Sequence, residues 1–91
     1  MSIKFKKISG TELRKVVRID EARAESEVIG LIGEIGDLMR RGIIFESNRP
    51  AGSGWIVIPV AGLDYGMRES IVYPTLAAAK ASIPVELEVL N

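Results

Sequence analysis

The chain has 91 residues, no cysteine and no histidine, and its twelve basic and twelve acidic side chains cancel to zero net charge. Disulfides, thiolate or histidine metal sites and histidine-dependent catalytic dyads are therefore excluded, and no cofactor or metal is expected. With 47% apolar and 26% charged residues, the composition is that of an ordered domain.

One domain over residues 1–91 is expected. No apolar run approaches the ~20 residues that cross a bilayer, and the basic start MSIKFKKIS lacks the apolar stretch of a signal peptide. A cytoplasmic location without membrane contact is the expectation. The charges are nonetheless sorted along the chain. Within residues 1–19, Lys4, Lys6, Lys7, Arg14, Lys15 and Arg18 outnumber Glu12, the only acid. Within residues 20–39, Asp20, Glu21, Glu25, Glu27, Glu34 and Asp37 outnumber Arg23.

The first segment reads as a β-hairpin. Ile3 and Phe5 alternate with lysines, and Leu13, Val17 and Ile19 alternate with Arg14 and Arg18, around a turn at Ser9-Gly10-Thr11. An odd loop sets Ile3 opposite Val17 and Lys6 opposite Arg14, which gathers the apolar side chains on one face. The other face then carries Lys4, Lys6, Arg14 and Arg18, with Ile8, Glu12 and Val16 between them. Cations placed directly across two strands repel, so an anion is expected nearby.

A helix is predicted next, from an Asp20 N-cap to a Gly42 stop. Leu38, Leu31, Ala24, Ile35, Val28, Met39, Ile32 and Ile29 fill half of its wheel, although Glu21 and Glu25 fall in the same sector. Gly30, Gly33 and Gly36 interrupt it, each at a cost of about 1 kcal/mol relative to alanine. A close contact at the flank formed by Ile29, Ile32, Gly33 and Gly36 would offset that cost.

Beyond Gly42, short strands are predicted at 43–45, 55–58, 69–73 and 85–89, with loops at 48–54 and 61–66. Trp55-Ile56-Val57-Ile58 is the most apolar of these strands, and Pro59 should end its regular pairing or place it at a bulge. A short helix runs from a Thr75 N-cap to about Ser82, with Pro84 as its stop. Val85-Glu86-Leu87-Glu88-Val89 alternates cleanly and has one acidic face. The predicted fold is α+β in the order ββαβ-ββαβ, a mainly antiparallel sheet with one long and one short helix on one face.

The glycines match neither a phosphate loop nor a dinucleotide fingerprint. Within Val28-Ile29-Gly30-Leu31-Ile32-Gly33, the GxxG resembles the loop that joins two helices after a first strand in KH RNA-binding domains, and the surrounding strand–helix–GxxG–helix–strand–strand order over residues 11–83 can be fitted to that pattern. Leu31 and Ile32 stand where that family carries basic or small polar residues, and Glu34 and Asp37 put negative charge where a phosphate backbone would approach.

Three functions are expected, in this order. The first is a non-enzymatic module that self-associates, most simply as a homodimer, or binds a protein partner through Ile29, Ile32, Gly33 and Gly36. The second is nucleic-acid binding by Lys4, Lys6, Arg14 and Arg18. The third is a small anionic ligand, or a reaction run without histidine or cysteine, at loops 48–54 and 61–68 with Arg49, Asp64, Tyr65 and Arg68.

Overall fold

Strand β1 (Ser2–Lys7) opens a computed structural model that describes residues 2–60 and 70–90. It is followed by β2 (Arg14–Asp20), β3 (Glu25–Glu34), α1 (Ile35–Arg40), β4 (Trp55–Pro59) and α2 (Leu76–Leu90). The four strands form one antiparallel sheet in the order β1-β2-β3-β4. The class is α+β as predicted, but the element order is βββαβα and not the doubled ββαβ. Among the described residues no helix is long and apolar enough to cross a membrane.

The hairpin forms one residue out of the predicted register. Ile3 pairs with Arg18, Phe5 with Val16, and Lys6 with Lys15. The turn sets this. Ile8 N–H donates to the Leu13 carbonyl (3.0 Å), and the Thr11 hydroxyl donates to the Ile8 carbonyl (2.8 Å) while accepting from Leu13 N–H (3.0 Å). The loop therefore holds residues 9–12, with Gly10 at φ +78°. Gathering apolar residues on one face was the wrong criterion, because this sheet is covered on both.

The long helix predicted over 20–41 is instead a turn, a strand and a short helix. Asp20 still bonds to the backbone ahead of it, as an N-cap would, but its Oδ1 accepts from Ala22 N–H (3.1 Å) and Arg23 N–H (3.4 Å) within the β2–β3 turn. Gly30 and Gly33 lie in β3, so the GxxG sits inside a strand and joins no helices. The close contacts they permit are internal. A Cβ on Gly33 would stand 2.7 Å from methyls of both Leu13 and Leu38, and one on Gly30 would stand 3.2 Å from the Ile58 carbonyl oxygen. Gly42 does stop the helix. Ile43 N–H bonds to Leu38 O (2.9 Å) and Gly42 N–H to Met39 O (3.1 Å), the paired bonds of a Schellman end.

Consecutive residues of β4 show how the two faces are used, since their side chains alternate sides. Ile56 and Ile58 join Leu13, Ile35, Leu38 and Ile44 under α1 and the turn that follows it. Val57 joins Val16, Ile32, Ala79 and Ile83 under α2. The helices therefore lie on opposite faces, not on one. Predicted strand 43–45 is absent because Ile43 and Ile44 serve as a plug over the first of these clusters.

Gly54, just before β4, has φ +139°, and a Cβ there would meet the Tyr73 carbonyl oxygen at 2.5 Å. Across that gap Trp55 and Tyr73 exchange backbone hydrogen bonds of 2.8 and 2.7 Å, a single bridge where a strand over 69–73 was predicted. The loop at 61–66 and residue 69 lie outside the described residues. Thr75 caps α2 as predicted, its hydroxyl accepting from Ala78 N–H at 3.1 Å. The helix then continues through Pro84 and includes residues 85–89, which the alternating pattern assigned to a strand. A proline there removes one helical hydrogen bond and typically costs ~3 kcal/mol.

Candidate functional site

The register decides which cations share a surface, because residues directly opposite in an antiparallel pair project to the same side. Lys4, Lys6 and Lys15 fall together on the sheet face that α1 covers at its other end. Lys6 is directly across from Lys15, with Cβ atoms therefore roughly 5 Å apart. Lys4 stands two residues along β1 from Lys6, or roughly 7 Å. All three are exposed, and among the described residues none has an ion-pair partner. Val28, 46% exposed, lies on the same face opposite Val17.

Arg14 and Arg18, predicted to share that surface, project to the other side with Ile3, Phe5 and Val16. Each meets a carboxylate there. Arg18 pairs with Glu27 directly across on β3, and Arg14 lies 3.8 Å from Glu12, which also holds Lys7 at 3.3 Å. The remaining described arginines are matched too: Arg23 with Asp20, Arg40 and Arg41 with Asp37, and Arg49 with Glu46. Every described arginine is thus spent within the fold, while three lysines are not. Lys80, the other described lysine, places its Nζ 5.4 Å from the centre of the Phe5 ring.

The remaining predicted positions do not converge on a second surface. Ile32 and Gly33 are buried in the sheet, Ile29 is half-buried beside the bulge that shifts register at Val16/Val17, and Gly36 is the second residue of α1. Arg49 braces its own loop by donating to the Gly52 carbonyl at 2.8 Å. Asp64, Tyr65 and Arg68 lie outside the described residues. Among the described residues no group of three or more carboxylates converges to hold a metal. Two shallow clefts, near Asp37 and near Gly54, mix charges of both signs or are walled by backbone.

Lys15 is the member of the lysine group that sequence reasoning missed. Its signal was present, since Lys15 lies among the same basic residues, but only the register puts it against Lys6. No family model, no curated protein and no solved structure matches this chain. Chemically, the face offers three exposed point charges on two paired strands. Among the described residues it offers no bidentate fork and no aromatic ring on which a base could stack, Phe5 being on the opposite side.

Proposed function

We propose that this domain is a non-catalytic binding module that holds the phosphate backbone of a nucleic acid on Lys4, Lys6 and Lys15. The observation that carries this reading is the direct Lys6–Lys15 pair, a like-charge contact that costs stability unless an anion relieves it. Protein interfaces are depleted in lysine and enriched in arginine and aromatics at their centres. This face has the reverse composition. Phosphates accept point charges from many directions, so a lysine cluster positions a strand without reading its bases.

Zero net charge keeps the attraction local and the binding weak. Three phosphate contacts on duplex DNA predict that affinity falls about 40-fold between 50 and 200 mM salt. Fluorescence anisotropy with single- and double-stranded 20-mers at 50 mM salt provides the test. The Lys4→Ala/Lys6→Ala/Lys15→Ala variant should lose at least tenfold in affinity and most of the salt dependence. Arg14→Ala should bind as the unmodified chain does. Equal binding by the triple variant, or no binding of either oligonucleotide by the unmodified chain, would overturn the reading.

A further inference from the structure

Building on the phosphate-binding reading, we infer that the bound nucleic acid is single-stranded and lays a base on Val28. Lys4, Val17 and Val28 are successive partners across β1, β2 and β3, so they form one row on one side of the sheet. The row runs from an exposed cation, over a buried valine, to a valine that is 46% exposed. Adjacent strands are ~4.8 Å apart, which puts Val28 roughly 10 Å from Lys4. The phosphate and the base of one nucleotide sit at the two ends of such a span.

The neighbouring row closes differently. Lys6 and Lys15 lead to Leu31, which is half-buried against the core cluster beneath α1. Among the described residues, Val28 is therefore the exposed large apolar side chain on this side of the three strands. The acids of β3 do not oppose a phosphate here. Glu25 and Glu27 alternate with Ser26 and Val28 and project to the other side, where Glu27 holds Arg18.

A duplex cannot use this row. Its bases are stacked, and only their edges show, at the floor of grooves roughly 8 Å deep. A free two-stranded ribbon can enter the major groove, but β1 and β2 do not form one. Strand β2 is bonded onward to β3, and Ala79 and Ile83 of α2 back the sheet. Against a duplex this face reaches phosphates alone and leaves Val28 in water. An unpaired strand can turn the face of a base onto it. Burying the exposed half of one valine corresponds to roughly fivefold in affinity. Because an aliphatic side chain makes no hydrogen bond, the preference is for unpaired bases and not for a sequence.

The sign of the preference is the test. Charge alone favours the duplex, which carries one phosphate per ~1.7 Å of its axis against ~3.4 Å for each strand. In fluorescence anisotropy at 50 mM salt, a single-stranded 20-mer should bind about fivefold more tightly than the same 20-mer annealed to its complement. A 20-mer of abasic sites, with the same phosphates and no bases, should bind about fivefold more weakly than the base-bearing strand. Val28→Thr keeps the side-chain shape and the strand propensity. It should weaken the single strand about fivefold and leave the duplex unchanged. Val28→Phe supplies a stacking ring and should tighten the single strand several-fold. Both variants should match the unmodified chain in circular dichroism. A duplex bound as tightly as the single strand, or abasic and base-bearing strands bound equally, would overturn the single-strand inference. Phosphate binding itself would still stand if Lys4→Ala/Lys6→Ala/Lys15→Ala loses both ligands. If that lysine variant binds every oligonucleotide undiminished, both readings fail together.

Discussion

One face of the sheet has two halves made from the same strands, and they end differently. Toward the β1–β2 turn, Leu31, Ile56 and Ile58 are sealed by α1, whose Leu38 reaches the sheet over the missing side chain of Gly33. Toward the middle of β1, the same face carries Lys4, Lys6 and Lys15 and an exposed Val28. The comparison teaches where stability and binding are separated here. In the closed half, one absent Cβ lets two leucines meet a backbone. In the open half, nothing described neutralises the charge, so those residues are available to something else.

Substitutions should pull these halves apart. The largest effect is expected from Leu38→Ala in the closed half, a fully buried side chain whose loss should cost about 3 kcal/mol in urea unfolding. Gly33→Val comes next, at about 2 kcal/mol, because Leu13 and Leu38 already occupy the space its side chain would need. A neutral outcome for either would show that α1 is not the seal.

The open half should respond with the opposite sign. Lys15→Thr removes the like-charge pair with Lys6 and adds a good strand former. It should therefore raise stability by about 0.5 kcal/mol while lowering oligonucleotide affinity. A variant that is both less stable and equally good at binding would erase the distinction between the halves.

The smallest effect lies at the end of β1. The Ser2 hydroxyl donates to Glu21 at 2.6 Å and, with help from Glu21's own backbone, holds that carboxyl at about 2 instead of 4.5. Because the folded value is depressed, the contribution is present above pH 4.5 and is lost as pH falls toward 2. In Ser2→Ala the Glu21 resonance should titrate closer to 4.5 by NMR. An unchanged titration would remove the hydroxyl as the cause.

Much of the local chemistry was legible in the sequence. Gly10 in a turn, Gly42 ending a helix, Thr75 starting one and the buried run Trp55–Ile58 each depend on a few neighbouring residues, and each occurs. The stretch 20–41 was misread because Val28, Ile29, Leu31 and Ile32 fit a helical stripe and a two-sided strand equally well. Two clues favoured the strand: three glycines unfavourable to a helix, and Glu21 and Glu25 in its apolar sector. Residues 85–89 failed the other way, their alternation losing to the helix that precedes them. The lysine face was half legible. The residue types were evident, but a one-residue change of register exchanged Arg14 for Lys15, and that depended on how one threonine closes a loop.

The Ile35 amide bonds to the Gly54 carbonyl at 2.9 Å, beside the Glu34–Trp55 pair that ends the β3–β4 ladder. Residues 35–54 therefore leave the sheet and re-enter it at one doorway. Topologically the protein is a plain four-stranded meander, and the whole of α1 with its following loop is a detachable insert at the third corner. Replacing residues 36–53 by a tight two-residue turn would preserve every strand neighbour. It would uncork Ile56 and Ile58 and leave α2 as the roof over a sheet now bare beneath.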